Sequence, residues 1–201
     1  METIDFDIFP TLVRWHRGVI EEQRRKDIFE YIMAKPHGTS HDTLTGNVRT
    51  SYLEETLFIQ ELEKNIPSCH GLYEFLENGI NEYAEKFGMY RLAITNSWYA
   101  IQHEGSVLKQ HYHPDSWASA AIYINVDEDS TGITFDAPLN QIKCLTPTKI
   151  KTMYTVDLWT IKVGAGDILF FPSWLKHGSN YEQNQTKNRV IISFNTMKKV
   201  E

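Results

Sequence analysis

Residues 110–125 read QHYHPDSWASAAIYIN, and three side chains there could bind a metal: His111, His113 and Asp115, at alternate positions. In an extended strand, residues i, i+2 and i+4 share a face. The three therefore project together if the strand runs to its end, with Pro114 limiting how far ladder pairing extends. Two ligands at i and i+2 occupy adjacent positions around a divalent cation, and a distant third ligand is needed to close one face of an octahedron. His177, in DILFFPSWLKHGSN, follows a strand pattern and sits in a turn, which makes it the candidate. Two histidines and one carboxylate leave positions open opposite, the arrangement that suits non-haem Fe(II) oxygen chemistry. Arg189 opens the last strand-like run, RVIISFNT, where an inward guanidinium could pair bidentately with a ligand carboxylate. Ser193, four residues on, faces the same side, and Tyr123 offers a hydroxyl from the strand after the histidine cluster.

Two kinds of element must position these groups. Up to about residue 90 the period is helical: 19–34 place Ile20, Ile28, Ile32 and Met33 on one stripe, and Pro36-His37-Gly38 ends it. Residues 52–65 repeat the pattern, and in 68–88 Leu72, Phe75, Leu76, Ile80, Tyr83 and Phe87 recur at helical spacing, with Gly88 just beyond as a cap. From residue 91 the period shortens to that of strands. LAITNSWYAIQ, SVLKQHYH, ASAAIYINV, GITFDA, MYTVDLWTIKV, DILFFP and RVIISFNT are rich in β-branched and aromatic residues, with turns such as Glu104-Gly105 and Gly164–Asp167 between them. Short strands at this spacing predict a β-sandwich or jelly roll, with the helices bracing one outer face. The expectation is one mainly-β α+β domain over 1–201, in which 1–90 support a core at 91–197. A loop from about 137 to 152 is the expected lid.

Bulk properties narrow the function. The chain has 201 residues, 41% hydrophobic and 23% charged, with a net charge of −6, and its pI is near 5.8. This balance makes no electrostatic case for nucleic acid or an anionic membrane. The two cysteines, Cys69 and Cys144, form no CxxC or CxxH spacing, which argues against a disulfide scaffold or zinc knuckle and suits a reducing compartment. The opening residues lack an export-signal pattern, and no stretch approaches the roughly 20 apolar residues that span a bilayer. A soluble, cytoplasmic protein is expected. Five other histidines, His16, His37, His41, His70 and His103, have no partner at ligand spacing. Trp98, Trp117, Trp159 and Trp174 read as packing or rim residues, and Asn96 and Asn125 as strand-end hydrogen bonders.

Taken in order, H-x-H-P-D-S, AIYIN, GDILFFPSWLKH and RVIISF resemble the 2-oxoglutarate- and Fe(II)-dependent oxygenases over roughly residues 90–197. The nearest likeness is to short bacterial and bacteriophage members, whose opening residues also resemble FPTLV here, so a phage-encoded copy would act in a bacterial cytoplasm. The resemblance implies a double-stranded β-helix (jelly roll, cupin-like) and a hydroxylating dioxygenase that consumes O2 and 2-oxoglutarate and releases succinate and CO2. By that likeness His113, Asp115 and His177 would bind Fe(II), Arg189 would hold the far carboxylate of 2-oxoglutarate, and Tyr123 and Ser193 would hydrogen-bond the same group. The short relatives show H-x-H-P-x-S, so His111 and His113 form the rival metal pair. The short run from Asp115 to Tyr123 favours that pair, and charge neutralisation favours Asp115. Two other readings stand beside the oxygenase: a cupin-like dioxygenase or isomerase without 2-oxoglutarate, which leaves Arg189 without a purpose, and a non-catalytic binding module of phage origin. The prime substrate and oligomeric state are not legible.

Overall fold

The computed structural model describes residues 10–36, 42–54, 57–138 and 149–200. In chain order its elements begin with β1 (Arg14–His16), α1 (Glu22–Ala34), β2 (Leu44–Thr45), β3 (Val48–Thr50), α2 (Phe58–Asn65) and α3 (Leu72–Glu85). A 3-10 turn at Pro67–Cys69 separates α2 from α3. Strands follow: β4 (Leu92–Gln102), β5 (Val107–Leu108), β6 (Ala118–Asn125), β7 (Ile133–Asp136), β8 (Leu158–Ile161), β9 (Ile168–Pro172), β10 (His177–Gly178) and β11 (Arg189–Lys198). A six-stranded antiparallel sheet has the order β1-β9-β6-β11-β4-β3, and a three-stranded sheet the order β10-β7-β8.

The period-2 pattern sends alternate side chains to opposite faces of the large sheet. Val190, Ile192 and Phe194 of β11, with Ile122 and Ile124 of β6 and Ile168 and Phe170 of β9, pack against Ile28, Ile32, Leu62, Leu72, Leu76 and Ile80 of the helices. The helices thus brace one outer face, as their periodicity predicts. On the other face Ala121, Tyr123, Leu169, Phe171 and Ile191 meet Ile133 and Phe135 of the small sheet. Helix α3 approaches so closely that a Cβ on Gly79 would lie 3.0 Å from Phe170 Cζ.

Several boundaries differ from those read in the sequence. Residues 52–54 are turn, and α2 starts only at Phe58. The preceding segment is pinned to β4, where Ser51 N–H donates to Tyr99 O (3.1 Å) and Tyr99 N–H to Ser51 Oγ (3.1 Å). Phe75 and Phe87, assigned to the apolar stripe of α3, are exposed. The run 153–163 is a strand only over Leu158–Ile161, because Thr152 and Thr155 close a turn before it, Val156 N–H reaching Thr152 O at 2.9 Å. In 106–113 only Val107–Leu108 form a strand, joined by an isolated bridge at His111. The short strands β1, β2, β3 and β10 lack a period long enough to see. Most of the expected 137–152 lid, 139–148, lies outside the described residues, as do His37 and His41.

Phe170 contacts the rings of Tyr83, Phe194 and His16 and joins helix to sheet. Phe170→Ala is expected to lower unfolding free energy by about 3–5 kcal/mol in a denaturant titration.

Candidate metal centre and cavity

Three imidazoles meet at β10, the edge strand of the small sheet, where the H-x-H run bridges to it. His111 and His177 form an antiparallel backbone bridge: His111 N–H donates to His177 O (2.9 Å) and His177 N–H to His111 O (2.8 Å). His113 N–H donates to Ser173 O at 2.9 Å, which ties the H-x-H run to the end of β9. Beneath this turn the hydroxyls of Ser116, Ser119 and Ser173 form a chain with contacts of 2.7–2.8 Å, and Ser119 donates on to Asn195 Oδ1 at 2.7 Å. Gly178 has no room for a side chain: a Cβ there would press on Gln110 Oε1 and lie 2.8 Å from the carbonyl oxygens of Leu108 and Lys109.

The ring orientations suit a cation. His177 Nδ1 lies 2.8 Å from Leu175 O, and His111 Nδ1 lies 2.9 Å from Lys109 O. A carbonyl oxygen can only accept, so both Nδ1 atoms carry the proton and both Nε2 lone pairs are left for a metal. His113 Nε2 and His177 Nε2 are 3.3 Å apart. Nitrogens about 2.1 Å from one ion stand roughly 3.0–3.4 Å apart between right-angle and tetrahedral geometry. One nitrogen from each of the three rings lies within 4.8 Å of the others. His177 is buried, while His111 and His113 are half-buried. Burial, reinforced by any charge on His111 and His113, holds the His177 pKa well below the usual imidazole range.

Asp115 does not join this group among the described residues. It is exposed on the cavity wall, in a left-handed turn at φ +60°. Pro114 and that turn end the extended run, so the i, i+2, i+4 alignment assumed from the sequence stops at His113.

From the imidazoles a cavity of about 490 Å³ runs between the sheets, lined on β11 by Arg189, Ile191, Ser193 and Asn195 and on β6 by Ala121 and Tyr123. Arg189 is fully buried. Its Nη1 donates to Gln102 Oε1, its Cζ lies 5.6 Å above the Tyr123 ring, and its Nε has no hydrogen-bond partner. Among the described residues it makes no ion pair, and desolvation pulls its pKa down. Burial also raises the Tyr123 phenol above its ordinary pKa, with Arg189 opposing that shift. Arg189, Ser193 and Tyr123 thus line one cavity. Gln102 went unnoticed in the sequence. Only its register opposite Arg189 on β4 reveals it, and no local motif could have done so. Asp167 of the GDILFFP run is structural, accepting from Trp15 Nε1, Gly18 N and Gly164 N at 2.7–2.8 Å.

Residues 96–195, which include all of the site residues expected from the sequence, match the family described as "Putative 2OG-Fe(II) oxygenase". The chain belongs to the 2-oxoglutarate- and Fe(II)-dependent oxygenases. Solved structures of similar architecture align at low identity. A prolyl-4-hydroxylase from Pseudomonas putida aligns with a TM-score of 0.64 at 9% identity, over 96% of each chain. HygX from Streptomyces hygroscopicus, solved with nickel, 2-oxoglutarate and hygromycin B, gives 0.55 at 12% over 92% of this chain and 82% of its own. The viral collagen prolyl hydroxylase of Paramecium bursaria Chlorella virus-1, solved with 2-oxoglutarate, gives 0.53 at 13% over 92% and 94%. At such identities the likeness shows the fold, the double-stranded β-helix. No curated protein sequence matches the chain. Among the described residues, no helix of this oxygenase is long and apolar enough to cross a membrane.

Two outcomes follow from this packing. Gly178→Ala is expected to cost about 1–3 kcal/mol by overpacking and to weaken Mn(II) uptake, measured by titration with EPR detection. Because the folded His177 pKa is depressed, the unfolded chain takes up a proton first as pH falls below its pKa of about 6.5. Stability is then lost with acidification, by up to about 1.4 kcal/mol per pH unit for one such group. Chelator-treated protein should show this slope between about pH 6.5 and 5, and His177→Gln should flatten it.

Proposed function

We propose that the protein is a dioxygenase that couples oxidative decarboxylation of 2-oxoglutarate to hydroxylation of a second substrate, with Fe(II) held by His111, His113 and His177. The observation that carries this reading is Arg189: a buried cation with no anionic partner among the described residues, in the same cavity as the imidazole cluster. A buried charge left unpaired is costly, so the cavity favours a ligand that brings a carboxylate to it. A metal-chelating keto acid with a second carboxylate meets both ends of the cavity at once.

With iron bound, the centre supplies oxygen chemistry: dioxygen and 2-oxoglutarate give succinate and CO2, and one oxygen atom enters a C–H bond of the substrate as a hydroxyl. The residues of this chain set the geometry. Leu175 O and Lys109 O hold the His177 and His111 rings with Nε2 toward the ion. Gln102 fixes the Arg189 fork, and Tyr123 packs against it. Ser193, four residues beyond Arg189 on the same face of β11, offers a further hydroxyl to the cavity. Ile133, Phe171, Ala121 and Ile191 form the apolar wall that limits water around the reacting centre.

A three-imidazole set also fits a cupin-like enzyme without a keto-acid cosubstrate. That reading gives Arg189 nothing to bind. His177→Ala is expected to abolish both Mn(II) uptake and 2-oxoglutarate-dependent succinate formation. Arg189→Met should retain metal but lose about 2–5 kcal/mol of 2-oxoglutarate binding. It should also fold at least as stably without ligand, since a buried unpaired charge has been removed. Wild-type protein at a hundredfold excess of 2-oxoglutarate over Kd gains about 2.7 kcal/mol in stability, and the variant at the same concentration should gain less than about 0.9 kcal/mol. Unchanged 2-oxoglutarate dependence in Arg189→Met would refute the role given to Arg189, and absence of succinate formation by the iron-loaded wild type would favour the cupin-like alternative.

A further inference from the structure

We propose that the outer half of the cavity recognises a cationic amine on the prime substrate, held between the Asp115 carboxylate and the aromatic pair Tyr52 and Trp98. This inference rests on the oxygenase reading, because it assigns the substrate end of the same cavity. Arg189 and Asp115 are the only formally charged side chains, imidazoles aside, among the described residues that line the cavity, and they belong to different parts of it. Arg189 opens β11, whereas Trp98 pairs with Ser193 four residues further along, roughly 13 Å at strand rise. The Trp98 ring lies 6.1 Å from the His113 ring, beside the metal cluster, and packs edge-on against Tyr52 at 4.9 Å and 86°. Asp115 follows His113 by two residues and faces the same cavity.

Asp115 has no hydrogen bond or ion pair among the described residues, although its backbone adopts φ +60°. An aspartate tolerates that conformation better than most residues, but the turn alone asks for no carboxylate. Neighbouring aromatic faces attract cations through their ring quadrupoles, and a carboxylate lining the same cavity adds Coulomb attraction. Among the described residues no lysine or arginine lines the outer half to compete for either. An ammonium or guanidinium held there would be set apart from Arg189 at the start of β11 and near the Trp98 ring, which lies 6.1 Å from the His113 ring. Neutral and anionic substrates gain nothing from Asp115.

The test uses the full chain loaded with Mn(II) and the inert cosubstrate mimic N-oxalylglycine. The probes are N-acetyl-lysine methylamide and its uncharged isostere N-acetyl-norleucine methylamide, with binding followed by calorimetry. The lysine probe should bind about tenfold more tightly than the isostere. Asp115→Asn, which keeps the left-handed turn, should cut that preference below about twofold and leave Mn(II) affinity within about twofold of wild type. Trp98→Leu should weaken the lysine probe more than the norleucine probe. Equal binding of the two probes to the wild type, or a preference that survives Asp115→Asn, overturns the proposal. So does a tenfold loss of Mn(II) affinity in Asp115→Asn, which would make the carboxylate a metal ligand. Failure of N-oxalylglycine to bind at all would count against the oxygenase reading instead, and the probe comparison is then read on the protein alone.

Discussion

A guanidinium buried with no anionic partner among the described residues is the constraint around which the site is organised. Arg189 is desolvated, one nitrogen is satisfied by Gln102 and another has no partner. Gln102 and the Tyr123 ring offset part of the cost of burying it, and in the proposed function a ligand carboxylate entering the cavity completes the pairing. The same cavity reaches the three imidazoles, so one elongated dianion can meet both the cation on the strand and the cation on the histidines.

The fold delivers that arrangement through strand alternation. On β11, Val190, Ile192 and Phe194 face the helices while Arg189, Ile191, Ser193 and Asn195 face the cavity. A one-residue slip in register would exchange these sets. The helices therefore serve the chemistry indirectly: by covering the outer face they fix which side of β11 faces inward. At the other end, the His111–His177 bridge holds two candidate ligands from chain positions 66 residues apart as neighbours on paired backbones.

Much of this was legible in the sequence, because long regular periods carry strong signals. β4, β6, β9 and β11 fall where alternation places them, and α1 and α3 where their apolar stripes do. The short pairings were not legible: two- and three-residue strands such as β2, β3 and β10 owe their form to partners far away in the chain. The metal group shows the same limit. His113 and His177 follow from the ordered motifs, but the choice between His111 and Asp115 turns on whether the strand continues past Pro114. Local charge neutralisation pointed to Asp115, whereas the turn at φ +60° leaves its carboxylate outside the imidazole cluster. Gln102 could not be read at all, since its role exists only through its register with Arg189.

A crystal structure of the protein soaked with Mn(II) and N-oxalylglycine tests the central claim most directly. The account requires manganese on Nε2 of His111, His113 and His177, with the far carboxylate of the ligand paired to Arg189. Manganese bound through Asp115 in place of His111, or a ligand carboxylate seated away from Arg189, would contradict it.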